Sequence, residues 1–323
     1  MRRSLVVIAV LACVAFVGAS WASQKVDLTV YTGSGPGSVY FAVGSMLAKV
    51  LNDKGQLVSA KGVTSGASVA NIRAIDKGDA HLAIAQNDVT YYAWKGIVRF
   101  KEPIKTVRGI ATMWPEPLQI VVRADSPIRT LQDLAGKRVV VGAAGSGVEA
   151  AASAILKAAG LWDKITKINQ SFEEAAQSFT LGQVDANIAV IAYPAPAINM
   201  IDVQVPVRLI PIPDEIVKKL HAEGYPFYVK VRIPKGTYKG MDSDVETIAV
   251  KSTLVCHKDL SPEVVYEVTK MLFINTEELA KAHQVANQIK ISEALEGMQL
   301  PLHPGAIKFY EENGIKVPAE LRM

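Results

Sequence analysis

The chain has 323 residues, of which 50% are hydrophobic and 20% are charged. That share of apolar residues excludes an intrinsically disordered chain, and the length predicts about two domains or one large α/β unit. Lysine and arginine outnumber aspartate and glutamate by only 35 to 31. A charge balance so close to neutral argues against a nucleic-acid partner that is bound through overall charge.

The first 22 residues predict a secretory signal peptide. Arg2 and Arg3 form a basic start, residues 4–19 form an almost unbroken apolar run, and small residues precede a cleavage point after Ala22. The run is short for a membrane span, and a lipidation site at Cys13 stays an open alternative. We therefore predict a periplasmic protein that is cleaved near Ala22, in a compartment where NAD and ATP are not normally available.

Strand and helix patterns alternate along the remaining chain. Strands are predicted at 26–31, 81–85, 118–122, 138–141, 186–191, 207–210 and 247–254. Helices are predicted at 39–51, from the turn at 62–68 to about 77, at 148–159 and from 262 to the end of the chain. This order is typical of an α/β fold with parallel sheets that carry helices on both faces.

We expect two α/β lobes that are joined by extended crossing strands near 118–123 and 247–254. The predicted division is a signal peptide at 1–22, a first part of lobe I at 23–122, lobe II at 123–246 and the rest of lobe I at 247–323.

Six turns at the predicted strand ends are rich in glycine, serine and threonine or carry other polar side chains. They are 32–40, 64–68, 86–88, 113–116, 145–147 and 192–194. Ligands of open parallel sheets lie at these strand ends, glycine permits a close approach of the backbone, and free amides at a helix start attract anions. The turns are therefore predicted to hold a carboxylate without an arginine. The alternative for each turn is a structural role, such as Ser146 capping its helix.

Two acidic residues and several aromatic residues in these turns bear on the ligand. Asp88 and Glu116 would favour an ammonium or hydroxyl group if they face a cleft, and would otherwise be a helix cap and an exposed charge. If both point away, a dicarboxylate or keto acid is favoured, because a buried anion repels another anion. Tyr40, Trp114 and Tyr193 would pack on the carbon chain of a ligand or in the core.

Enzyme motifs are weak or absent. Residues 145–150 match a dinucleotide-binding G-x-G-x-x-A pattern, but residues 165–169 form a poor second strand without the expected acid. Ala144 and Val148 replace the glycines of a nucleophile elbow around Ser146, and the five histidines lack metal-ligand spacing. We therefore predict no catalytic residue, no metal and no cofactor, and an exported α/β enzyme is kept as an alternative.

Several short segments match one known family in their order and spacing. They are the glycine-rich loop ending at Tyr40, 64–72, 78–83, 86–88, 114–116, 133–139, 145–147, 182–186 and 225–226. From about Leu28 to Phe309 the chain thereby resembles the TAXI-type solute-binding proteins of tripartite ATP-independent periplasmic (TRAP) transporters. The resemblance implies a type II periplasmic-binding-protein fold, no catalysis, a ligand held between two closing lobes, and delivery to a membrane permease driven by an ion gradient.

Proteins of this type bind small carboxylates, including glutamate-like amino acids and dicarboxylates. Carried over by position, the resemblance implies the ligand-binding residues Ser38, Tyr40, Thr64, Ser68, Gln86, Asp88, Glu116, Ser146, Gly147 and Tyr193. The chain departs from the family at 64–68, where T-G-G-S is common, and at Trp114, where tyrosine is common. The same features fit a subunit that presents a solute to a sensor kinase.

Overall fold

The computed structural model describes residues 25–322, so the predicted signal peptide lies outside the described residues. The strands are β1 (Val26–Tyr31), β2 (Val58–Val63), β3 (Leu82–Gln86), β4 (Val107–Arg123), β5 (Arg138–Val140), β6 (Thr166–Ile168), β7 (Ala186–Val190), β8 (Val207–Ile210), β9 (Val229–Ile233) and β10 (Val245–His257). The α-helices are α1 (Val39–Lys54), α2 (Ser68–Lys77), α3 (Asn87–Lys95), α4 (Gly147–Ala158), α5 (Phe172–Thr180), α6 (Pro196–Asp202), α7 (Asp214–Ala222), α8 (Pro262–Ile274), α9 (Thr276–Ala280) and α10 (Pro304–Glu312).

The strands form two sheet halves that meet at the long strands β4 and β10. In lobe I, β2, β1 and β3 are parallel neighbours, and β10 lies antiparallel beside β3. In lobe II, β6, β5 and β7 are parallel neighbours, and β4 lies antiparallel to β7 and β8. The expected parallel arrangement therefore holds for β1, β2 and β3 and for β5, β6 and β7, whereas β8 and β9 pair antiparallel with the crossing strands. The two crossing strands are antiparallel because the chain passes from lobe I to lobe II and returns.

Strand β4 belongs to both lobes. Its residues 107–117 pair with β10, whereas residues 118–123 pair with β7 and β8. Along its 17 residues only Pro115 and Arg123 are partly exposed. Such continuous burial is typical of a strand that is covered on both faces.

Strand β10 is the return crossing. It pairs with β3 and β4 through residues 249–257 and with β9 through residues 245–249. The predicted α/β fold of two lobes joined by crossing strands is confirmed. The predicted lobe limits at 122–123 and 246–247 fall inside β4 and β10 and stay predictions.

Three helices begin where strands or turns reach the space between the lobes, namely α2 at Ser68, α3 at Asn87 and α4 at Gly147. The start of α4 is fixed by Ser146, whose Oγ accepts a hydrogen bond of 3.1 Å from the Glu149 N–H. The structure therefore shows the capping role that was the alternative for Ser146, and the ligand contact implied for Ser146 stays a prediction. Between residues 25 and 322, every helix is too short or too polar to cross a membrane.

Candidate functional site

A small cavity lies between the two lobes, at the strand ends named by the sequence. Its lining residues are Ser38, Val39, Tyr40, Ala67, Ser68, Gln86 and Glu116 from lobe I and Gly147, Val148, Phe172, Val190 and Ile191 from lobe II. The cavity volume is about 30 Å³, which is room for roughly one or two water molecules. The lobes are therefore closed, and entry of anything larger requires that they part.

Most of the implied ligand-binding residues meet at this cavity. Six of them line it, namely Ser38, Tyr40, Ser68, Gln86, Glu116 and Gly147. Ser146 is buried next to Gly147, and Asp88 is buried two residues beyond Gln86. The other two lie apart, because the Thr64 side chain is exposed and Tyr193 packs half-buried against the core.

Glu116 and Tyr40 form the polar centre of the cavity. Glu116 projects from β4 and is 2% exposed, and its Oε2 accepts a hydrogen bond from the Tyr40 hydroxyl. Burial raises the pKa of Glu116 to about 8, against the lowering effect of the Tyr40 hydrogen bond, and the nearby Asp88 raises it further. Burial and the neighbouring Glu116 also raise the pKa of Tyr40 well above its ordinary value. The ring of Tyr40 meets the edge of Trp114 at 6.2 Å between centroids.

Asp88 connects the two lobes. Its Oδ2 accepts a hydrogen bond of 3.1 Å from the hydroxyl of Tyr228 in lobe II, and its Oδ1 accepts one of 2.7 Å from the Val89 N–H. Burial raises the pKa of Asp88 to about 7, although these hydrogen bonds oppose the shift. Within residues 25–322, neither Asp88 nor Glu116 has a cationic partner that lowers its pKa. The two carboxyls therefore form a buried acidic region.

Gln86 Oε1 is a buried polar atom of the cavity that has no hydrogen-bond partner among the described residues. Gln86 packs directly on the start of α4, since a Cβ atom added to Gly147 would lie 2.2 Å from Gln86 Oε1 and 2.8 Å from Ser68 Oγ. Leaving a buried polar group unpaired costs about 1–3 kcal/mol. Such groups in native structures call for an explanation, and a polar ligand supplies one.

Several lining residues were missed by the sequence reasoning. Phe172, Val190 and Ile191 are apolar, and nothing in their local pattern distinguishes a cavity wall from a core. For Ala67 the sequence did contain an indication, because this residue occupies the position where the chain departs from the family pattern. Its φ of 64° and ψ of −156° lie in a region that is otherwise used almost only by glycine.

Two solved structures share this architecture. One is the periplasmic aliphatic sulphonate binding protein SsuA from Escherichia coli, with 18% identity, coverage of 91% of this chain and 87% of that chain, and a TM-score of 0.51. The other is a putative L-cystine ABC transporter from Listeria monocytogenes, with 17% identity, coverage of 82% and 98%, and a TM-score of 0.51. At these identities the likeness establishes the fold, which confirms the expected periplasmic-binding-protein architecture.

The first structure is named as a binding protein and the second as a putative transporter. Neither name specifies a TAXI-type protein, so that assignment stays a prediction. A family model covers residues 31–314, which is most of the described chain, and the protein therefore belongs to the NMT1-like family.

Proposed function

We propose that this chain is an extracytoplasmic solute-binding receptor that captures a small, glutamate-like amino acid between its lobes. The observation that carries the proposal is the cavity between the lobes, which joins a buried acid, an unpaired polar atom and the start of a helix. Closure around a solute excludes water, and the differential affinity of the solute for the closed form drives the closure.

The charges of the cavity select an amino acid over a dicarboxylate or keto acid. Glu116 lines the cavity and Asp88 lies close enough to raise its pKa, and neither has a cationic partner among residues 25–322. A ligand ammonium group would favour the ionised form of Glu116, whereas a second ligand carboxylate beside it would be accepted only while Glu116 stays protonated. The resemblance to TAXI-type proteins allowed both ligand classes.

The carboxylate of the solute would lie at the start of α4. Gly147 and Val148 line the cavity there, and the first amides of a helix attract anions through the helix dipole. The hydroxyls of Ser38 and Ser68 line the same cavity from lobe I. Gln86 Oε1 would accept a hydrogen bond from the ammonium group.

The proposed partner is the membrane permease of a TRAP transporter, driven by an ion gradient. The support is the resemblance of the ordered sequence segments to TAXI-type proteins, together with the binding-protein fold. The proposed location is the periplasm, after cleavage near Ala22. Uptake by cells that carry this chain and its permease should stop when an ionophore collapses the ion gradient and should persist when ATP is depleted; the reverse pattern would favour an ATP-driven permease.

The solute is tested by a thermal-shift and calorimetric screen of residues 23–323 with L-glutamate, succinate, 2-oxoglutarate, taurine and L-cystine. A ligand at 100 times its dissociation constant adds about 2.7 kcal/mol, which raises the midpoint by a few degrees. We expect a shift with L-glutamate that is lost in Glu116→Gln and kept in Glu215→Ala, since Glu215 is exposed on lobe II.

Two results would contradict the proposal. A shift with succinate alone would keep the receptor and overturn the ammonium contact at Glu116. The absence of any shift, with no small molecule released on denaturation as judged by mass spectrometry, would overturn the receptor itself.

A further inference from the structure

Two acidic side chains of lobe II reach across to lobe I beside the cavity without lining it. Glu173, the second residue of α5, accepts a hydrogen bond of 2.7 Å from the Gly37 N–H. Glu149, in the first turn of α4, forms an ion pair with Arg99, with 3.0 Å between Nη2 and Oε1. Both contacts exist only while the lobes are together.

The contact of Glu173 depends on the glycine-rich loop that follows β1. A Cβ atom added to Gly37 would lie 2.9 Å from Glu173 Oε1, so the loop approaches this closely only because the residue is glycine. Gly35, with φ of 137°, lies against the same carboxylate oxygen. A hydrogen bond to an ionised acceptor is stronger than a neutral one. This part of the loop is therefore held by a carboxylate of the protein itself.

The partners of the Glu149–Arg99 ion pair are positioned by neighbouring residues in each lobe. In lobe II the Glu149 carboxylate accepts hydrogen bonds from the Gly145 N–H at 2.9 Å and from Asn169 Nδ2 at 3.2 Å. In lobe I, Arg99 follows Val98, whose φ of 60° is rare for a β-branched residue. The Glu149 side chain is 11% exposed and the Arg99 side chain 36%, so the pair is only partly screened by solvent.

The closed conformation that these contacts hold has a cavity of about 30 Å³, so the lobes must lie further apart when an amino acid is bound. We propose that Glu173 and the Arg99–Glu149 pair form a latch that holds the lobes in this closed conformation, so that solute enters only the fraction of molecules in which the latch is open. The latch deepens the receptor function proposed above and rests on it. A contact that stabilises a closed state too small for the solute lowers the binding-competent fraction and with it the observed association rate.

The latch is tested by the distance between the lobes in ligand-free protein. Residues 23–323 retain Cys256, which is buried, so fluorophores can be attached to cysteines introduced at Lys61 and Lys164. Both lysines are exposed. Lys61 lies in β2 and Lys164 just before β6, the outermost strands of the two lobes. Energy transfer between the two labels therefore follows the opening of the cleft.

In Glu173→Ala the ratio of closed to open molecules should fall about tenfold, since a charge-assisted hydrogen bond is lost. Glu173→Gln retains an acceptor oxygen, so in this variant the ratio of closed to open molecules should fall by less. Arg99→Ala should lower the ratio about threefold, as expected of a partly exposed pair. The matched controls Glu215→Ala, in the first turn of α7, and Lys101→Ala, near Arg99, should leave the ratio unchanged. Stopped-flow mixing with L-glutamate should show faster association in Glu173→Ala.

An unchanged lobe distance in both Glu173→Ala and Arg99→Ala overturns the latch, and so does an equal change in the two controls. The distance is measured without solute, so it decides the latch even if wild-type protein fails to bind L-glutamate. That failure would count against the proposed solute alone.

Discussion

The buried acid Glu116 makes stability depend on pH in a direction opposite to that of an ordinary salt-bridged carboxylate. Its pKa is raised from 4.5 to about 8 in the folded chain. The folded state therefore binds more protons than the unfolded state between these values, and stability falls as pH rises through that window. From pH 5 to pH 8 this single group should remove on the order of 3 kcal/mol from the free energy of unfolding.

The assay is urea denaturation of residues 23–323 at pH 5, 6, 7 and 8, for wild type and for Glu116→Gln. Glutamine has nearly the same shape and does not titrate, so the difference between the two chains reports the titration of Glu116 together with its coupling to Asp88. This subtraction matters because burial lowers the pKa of His81, His283 and His303, which adds stability as pH rises toward 6.5. A difference that stays constant over the range, or that grows in favour of wild type with rising pH, would refute the account of Glu116 as a buried, uncompensated acid.

Three further substitutions test the packing around the cavity. Gly147→Ala places a Cβ atom 2.2 Å from Gln86 Oε1, and this overpacking costs about 1–3 kcal/mol in the closed form. The lobes should therefore part, and the radius of gyration of the ligand-free chain in X-ray scattering should increase. An unchanged radius would mean that the lobes do not close onto Gly147 in solution. Ala67→Gly relieves a backbone conformation that costs about 1–3 kcal/mol, whereas the added flexibility of glycine costs ~0.5–1 kcal/mol. The urea midpoint of the variant should therefore rise. A lower midpoint would contradict a strained backbone at Ala67. Tyr228→Phe removes the hydroxyl that donates to Asp88 and should lower the free energy of unfolding by about 1–3 kcal/mol in denaturation at pH 8, where the carboxyl is mostly ionised. If the free energy of unfolding falls no more in Tyr228→Phe than in Tyr225→Phe, the hydrogen bond from Tyr228 to Asp88 does not stabilise the fold.

The turns at the strand ends were predictable from the sequence because each is marked locally. Glycine and small polar residues follow short apolar runs, and parallel strands bring such ends to one edge of a sheet. This reasoning found Ser68, Gln86 and Gly147, which the fold brings into contact. It found Glu116 for the same reason, although burial of that acid depends on the surrounding lobes.

The parts that were missed depend on partners far away in the chain. Strand β2 carries Lys61 and Gly62, which weaken its apolar alternation, and it forms because β1 pairs with its full length. Strand β9 alternates with lysine and arginine and is recognisable as an edge strand only once β10 lies beside it. The contacts of Glu173 with Gly37 and of Tyr228 with Asp88 are set by how lobe II lies on lobe I. No local pattern could contain them.

The two crossing strands also decide what kind of motion the lobes can make. β4 and β10 run side by side and are hydrogen-bonded to each other, with register irregularities between Lys251 and Thr253 and between Leu254 and Val255. Such an irregularity bends a strand locally and increases its twist. An opening of the cleft, which the proposed receptor function requires, would therefore flex a paired ribbon of two strands and would not be a free swivel about a loop. Because such a ribbon bends across its face more readily than within its plane, the paired strands would favour one direction of opening.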